Sequence, residues 1–258
     1  MHLSTRDLAT IARAAGGGTP PAVSPPDFAL AAWWKADSFA LPDSTRILQS
    51  GNVWVDSSGN GNTGTDGGAG TRNPTYRTNQ VGSMPAIIPD NDGSDAVIMT
   101  NTIDVGTSDW TIAVVFAMTG APGGFCGLVG GPGTTRLRFF YGEDPAGAGV
   151  GRLGMASSSG TVRSNDTVTA AGSVLLGILR MQSGTLDFFE NNTARGSNIT
   201  TPAPGGGTFI LQGIMTDFVS FPFWFGKYCE CCVWTQSIAD ADLTSLYNDH
   251  FKPRWSLP

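Results

Sequence analysis

Side chains able to do chemistry are few in this sequence, and their spacing limits what they can do. Only three of its acidic residues are glutamates, Glu143, Glu190 and Glu230, and each is far from the others along the chain. A retaining glycosidase needs two carboxyl groups about 5–5.5 Å apart, and no short motif here supplies such a pair. Most aspartates lie in turn-forming stretches, where the side chain stabilises the bend. A Ser or Cys nucleophile needs a histidine base. The histidines are His2 and His250, and His250 beside Asp249 reads as a packing and dipole contact near a helix terminus.

The cysteines are Cys126, Cys229, Cys231 and Cys232. Three of them crowd one strand-like segment, KYCECCVW (227–234), which suits neither a disulfide framework nor paired CxxC knuckles. Alternation puts Cys229, Cys231 and Val233 on one face and Glu230, Cys232 and Trp234 on the other, a packing pattern of buried thiols. Calcium is the one open metal question. Turns holding Asp56, Asn60 and Asn62, and Asp90, Asn91, Asp92 and Asp95, could supply oxygens to Ca²⁺. Neither has the Asp-x-Asp-x-Asp-Gly spacing of a dedicated loop, and plain Asx-turns are the competing reading. The densest aromatic stretch, FVSFPFWF (218–225), offers Phe221, Phe223 and Trp224 as candidate glycan or protein contacts, against the alternative that its alternating Phe residues are core. The expectation is therefore no catalytic residue and no cofactor, with calcium left open.

The elements that must position these residues are short strands. Candidates are 28–34, 53–56, 84–88, 96–100, 110–118, 127–129, 135–141, 152–156, 174–180, 185–190, 208–212 and 223–234, separated by turn sequences such as GNGN (59–62), GGPG (130–133) and PAPGGG (202–207). This spacing predicts an all-β, two-sheet antiparallel sandwich. One helix is expected in the body, 240–251, with Leu243, Leu246, Tyr247 and His250 on one face and Pro253 ending it. Residues 1–26 differ from the rest. Leu8 and Ile11 recur at helical spacing, then Gly16-Gly17-Gly18 and a proline-rich stretch follow, a docking arm and linker ahead of a domain at 27–258.

Composition narrows the partners. Charged residues are 14% of the 258, and the net charge is -6 with pI near 4.7, so no basic tract is available to follow phosphates and nucleic acid is excluded. The longest apolar run, Trp110 to Met118, is too short for a membrane helix, which needs about 20 residues. The first fifteen residues interrupt their apolar positions with Arg6, Asp7 and Arg13, unlike a secretory signal.

Seven segments in order, AWWKAD (32–37), VWVDSSGNGN (53–62), NPTY (73–76), MPAIIPDNDGSDAVI (84–98), DWTIAVVF (109–116), GTLDFFENN (184–192) and FGKYCECCVWTQSIADADLTSLYNDHFKPRW (225–255), resemble the concanavalin A-like, laminin-G-like jelly-roll domains of bacterial and phage proteins. The resemblance covers about residues 30 to 255 and implies a jelly roll with a short C-terminal helix. Two positions depart from it: Ala239 stands where such domains carry Ser at the last helix N-cap, and Ala96 replaces the second aspartate of the usual pair in DGSDA. The Glu-x-Asp-x-x-Glu strand of the related glucanases does not occur. On this resemblance the expected protein is a non-enzymatic phage virion structural protein, a capsid decoration protein or, second, a tail or fibre component. It would be assembled in the host cytoplasm, displayed on the virion surface and docked through Leu3, Leu8 and Ile11 on a partner such as the major capsid protein. A homo-oligomer is expected, a trimer if it occupies a three-fold position. The alternative is a carbohydrate-binding adhesin module, and a polysaccharide-degrading enzyme comes third.

Overall fold

A computed structural model describes residues 25–48, 53–66, 74–89, 97–118, 125–131, 137–143, 151–157, 159–166, 172–201, 208–214 and 226–258. Leu3, Leu8 and Ile11, the aspartates at 90, 92 and 95, and Phe221, Phe223 and Trp224 lie outside the described residues.

The chain is all-β, two antiparallel sheets packed face to face with one short helical segment at its C-terminal end. The strands are β1 (Leu30–Lys35), β2 (Thr45–Arg46), β3 (Gly64–Asp66), β4 (Thr75–Val81), β5 (Met84–Ile88), β6 (Val97–Gly106), β7 (Trp110–Met118), β8 (Phe125–Gly130), β9 (Arg138–Glu143), β10 (Gly151–Ser157), β11 (Gly160–Arg163), β12 (Val174–Gln182), β13 (Thr185–Glu190), β14 (Thr193–Thr200), β15 (Phe209–Ile214) and β16 (Gly226–Trp234). The nine-stranded sheet runs β14-β13-β12-β7-β16-β5-β4-β2, with β1 also on β16. The seven-stranded sheet runs β11-β10-β9-β8-β15-β6-β3. On the side of β16 away from β7, Tyr228 pairs with β5, and Glu230 to Trp234 pair with β1.

Burial explains why the central strands read as unbroken apolar runs. Every residue of β7 is buried, because Ile112, Val114 and Phe116 enter the core between the sheets while Ala113 and Val115 enter a second core under the helix. A strand covered on both faces has no polar side to alternate. The second core adds Trp33, Ala86, Leu176, Ile178, Cys229, Cys232 and Trp234 from the sheet, and Leu243, Leu246, Tyr247, Phe251 and Trp255 from the helical segment.

That segment outruns its expected end. It is α-helical over Asp240–Ser245, makes a π turn over Leu246–Phe251 and returns to α over Lys252–Trp255. Pro253 sits in the first turn of the last piece, where an absent N–H costs little, and the wider turn before it lets the chain pass the ring. Ser256, at φ 53°, closes the helix. Among the described residues no helix is long and apolar enough to cross a membrane.

Candidate functional site

Among the described residues, apolar clusters close three of the four sheet faces: both inner faces and the outer face of the nine-stranded sheet. The outer face of the seven-stranded sheet is built differently. On β9, Phe139 and Tyr141 enter the core, so Arg138, Phe140 and Gly142 point outward. On β10, Leu153 and Met155 enter the core, which turns Arg152, Gly154 and Ala156 outward. Val162 of β11 packs on the core, leaving Thr161 and Arg163 on the outer side.

Register assembles these into a grid. One row is Arg163 beside Gly154, Gly154 beside Phe140, and Phe140 beside Gly127 of β8. The neighbouring row is Thr161, Ala156, Arg138 and Gly130, and on the other side Arg152 pairs with Gly142. Three arginines from three consecutive strands thus stand around a floor of one ring and small residues. The ring lies on Gly154 so closely that a Cβ there would meet Phe140 Cζ at 2.3 Å. Phe140 is 5% exposed, whereas Arg138, Arg152 and Arg163 are half-buried and Thr161 is exposed. Arg152 Nη1 donates to the carbonyls of Ser164 and Asn165, both at 3.0 Å, which fixes its direction along the face. Gln212, half-buried on β15, continues the outer surface past Leu211, which faces the core.

Of the glutamates singled out from the sequence, Glu143 ends β9, while Glu190 and Glu230 are held elsewhere. Glu230 is fully buried beneath the C-terminal helix. Its Oε1 accepts from Trp33 Nε1 at 2.5 Å and meets His250 Nε2 at 2.8 Å, while Oε2 accepts from Trp255 Nε1 at 2.5 Å. Arg254 Nε lies 3.1 Å from Oε2 as an ion pair, and Arg254 Nη2 reaches Asp37 at 2.5 Å. Burial pushes the Glu230 carboxyl up, but its contacts with His250, Arg254 and Trp255 outweigh that and hold it below the usual carboxylate range. Sequence reasoning treats Glu230 and His250 as unrelated; the structure makes them one buried hydrogen-bonded pair that clamps the helix to β16. Glu190, also buried, accepts from Arg195 Nε at 2.8 Å. Asp187 receives Arg180 Nε and Nη2 on one oxygen and the Asn198 N–H on the other.

Asp56, Asn60 and Asn62, the described members of the calcium candidates, are engaged by the backbone. Asp56 Oδ1 accepts from the N–H groups of Trp33 and Ser58, both at 2.9 Å, and Oδ2 from that of Asn62 at 3.0 Å. Asn60 Nδ2 donates to the Leu30 carbonyl at 2.7 Å. These bonds tie the 57–62 turn to β1. Among the described residues no three His, Cys, Asp or Glu side chains gather where they could hold a metal ion.

The cysteines are all buried thiols outside any disulfide. A register shift between Tyr228 and Glu230 changes the expected alternation: Tyr228 and Cys231 enter the inter-sheet core, while Cys229 joins Cys232 and Trp234 on the helix side. Cys229 and Cys231 therefore face opposite ways, a correction to the simple period of two. Burial pushes the Cys231 thiol up to about 12.

No protein-family model matches the chain, and no curated protein matches it. By structure the chain is similar to domain 4 of AbnA, a GH43 extracellular arabinanase from Geobacillus stearothermophilus, solved in complex with arabinotriose, at 15% identity over 85% of this chain and 98% of that one, with a TM-score of 0.58. A mutant GH54 α-L-arabinofuranosidase matches at 13% identity over 80% of this chain and 51% of that one, TM-score 0.60. Trypanosoma rangeli sialidase, with the inhibitor DANA, matches at 10% identity over 94% of this chain but 38% of the sialidase, TM-score 0.55. The chain thus spans about a third of the sialidase and half of the arabinofuranosidase. These likenesses establish the fold: a two-sheet antiparallel β-sandwich of the jelly-roll kind. They also overturn two expectations. The reading as a phage virion structural protein, and with it the expected lack of enzymatic activity, gives way, because the solved structures named above that share this fold are glycosidases or a domain of one.

Proposed function

We propose that the chain is a carbohydrate-recognising β-sandwich of a carbohydrate-active protein, holding a saccharide across the outer face of the seven-stranded sheet. The observation that carries this reading is the grid around Phe140. Among the described residues it lies on the one sheet face that neither apolar cluster closes, and it sets the half-buried Arg138, Arg152 and Arg163 and the exposed Thr161 beside Gly127, Gly130, Gly142, Gly154 and Ala156. Small residues let a sugar ring approach the sheet, and fixed donors orient its hydroxyl groups, the usual division of labour in a saccharide site. The arabinotriose bound to the arabinanase domain and the sialic acid bound to the sialidase support the choice of ligand class. The laminin-G-like order of segments agrees with a module that recognises rather than encloses its ligand.

The test is affinity electrophoresis of the full chain in gels containing arabinan or a sialylated glycoprotein, with released reducing ends measured in matched solutions. Retarded migration is expected for at least one glycan, reduced in Gly154→Val, whose Cβ displaces the Phe140 ring. A thermal melt of that variant separates loss of binding from loss of fold. No retardation by any glycan overturns the reading.

A further inference from the structure

One edge of the larger sheet is fastened by side chains instead of by a strand. Among the described residues no strand pairs with β1 on the side away from β16, and the 56–62 turn takes that place. Asp56 accepts from the Trp33 N–H at 2.9 Å, and the Ser57 N–H donates to the Trp33 carbonyl at 2.7 Å. Asn62 Nδ2 donates to the Ala31 carbonyl at 2.8 Å. Asn60 Nδ2 donates to the Leu30 carbonyl at 2.7 Å and meets the Ala31 carbonyl at 3.3 Å and Ser58 Oγ at 3.2 Å.

Asn60 is followed by Gly61, and no other asparagine of the chain precedes a glycine. Both residues are exposed. A Cβ on Gly61 would meet nothing within 4 Å, and among the described residues the Gly61 N–H donates to no group. A side chain on the following residue hinders closure of its nitrogen onto an asparagine amide; glycine has none, and its backbone is free to turn.

We infer that Asn60 is a site of spontaneous deamidation, and that losing its amide unfastens the 56–62 turn from β1. The Gly61 nitrogen attacks Asn60 Cγ, the Cγ–Nδ2 bond breaks, and the proton given up by the Gly61 nitrogen is balanced by one taken up as ammonia leaves. Water then opens the resulting five-membered imide at either carbonyl, giving aspartate or isoaspartate without any oxidant or reductant. Both products replace an amide donor with a carboxylate that can only accept, facing the Leu30 and Ala31 carbonyl oxygens in a turn already organised by the Asp56 carboxylate.

The full chain held in mildly alkaline buffer made with isotopically labelled water, then digested and mapped by electron-transfer mass spectrometry, tests the chemistry. Asn60 should deamidate several-fold faster than any other asparagine and take up one labelled oxygen, and Asn60→Gln, whose longer side chain closes a ring slowly, should leave that position intact. Asn60→Asp, made directly, tests the consequence by hydrogen exchange. The Trp33 and Asn62 amides, both bonded to Asp56, should exchange about tenfold faster, as the loss of one hydrogen bond allows, while β7 and β12 keep their protection. Deamidation of Asn60 only after unfolding in guanidinium chloride would mean that the bond to Leu30 protects it, and overturns the inference; so does faster reaction at another asparagine. Unchanged exchange in Asn60→Asp overturns the unfastening of β1, and exchange raised equally through β7 and β12 overturns it too, because the whole sandwich would then have opened.

Discussion

Glu230 and His250 stand 20 residues apart in the sequence and 2.8 Å apart in the fold, one on a central strand and the other on the helix that covers it. With Trp33, Trp255 and Arg254 closing on the same carboxylate, the pair is the polar centre of an otherwise apolar interface. Removing one partner leaves the others buried without compensation. Glu230→Gln is expected to lower stability by about 3–5 kcal/mol, read as a shift of the urea midpoint with the fold retained by circular dichroism. An unchanged midpoint would show that the helix is held by its apolar contacts alone.

The same carboxylate gives a pH dependence of known sign. Its folded-state value lies below the ordinary one of about 4.3 because His250, Arg254 and Trp255 outweigh the opposing effect of burial. A depressed carboxylate contributes stability above its unfolded value, and that contribution is lost as pH falls through the folded value. Stability measured from pH 6 downward should therefore decline below about pH 4.3, and the decline should be shallower in Glu230→Gln. Parallel acid limbs in the two proteins would remove Glu230 from the explanation.

The helix that this cluster anchors begins without a cap. Ala239 has the extended backbone of an N-cap, φ -65° and ψ 155°, but no side-chain bond, and Asp242 stands three residues on. Ala239→Ser supplies an oxygen for the free N–H groups of the first turn. The expected gain is about 1 kcal/mol, which for a chain of this size raises Tm by about 2–4 °C. A lower Tm would mean that the position is set by packing against β12 and β13 rather than by capping.

What could be read from the residues follows the physics of each element. β5, β7 and β13 are found at the expected bounds, since a run such as TLDFFE has both an apolar face and turn residues at each end. β14, TARGSNIT, was not legible, and neither were β2, β3, β4 and β11. These lie at or next to sheet edges, where solvent replaces the second covering layer and the apolar pattern fades. The Glu230–His250 pair was hidden because strand and helix meet only in the tertiary fold. The shifted face of Cys229 was hidden because a bulge leaves no mark on composition. The arginine face was half legible: RFFYG alternates outward and inward within β9, but bringing Arg138, Arg152 and Arg163 together required the register of three strands.

Two glycines separate obstacles that yield from those that do not. A Cβ at Gly226 would meet the Ala117 carbonyl oxygen at 2.0 Å, a backbone atom locked in the β7–β16 ladder, whereas at Gly154 it meets the side chain of Phe140. A ring can rotate away at about 1–3 kcal/mol, the range for overpacking; a paired strand cannot move without breaking its ladder. Gly226→Ala should therefore destabilise more than Gly154→Ala by denaturant titration. The reverse order would mean that the two sheets do not pack as described.

The thiols offer a direct probe of the same packing. Cys126, Cys229, Cys231 and Cys232 are buried, and burial together with the neighbouring Glu230 charge raises the thiols of Cys229 and Cys232, as burial raises Cys231 to about 12. The thiolate is the reactive form, so at pH 8 the native protein presents neither the ionised sulfur nor a path to it. A chromogenic disulfide reagent should react with none of the four in the native state and with all four in guanidinium chloride. Glu230→Gln loosens the helix over Cys229 and Cys232, so in that variant these two should react first, at a rate set by local opening of the helix. Equal reactivity of Cys231 in the same variant would show instead that the two sheets separate together, and the helix would then be an inseparable part of the sandwich.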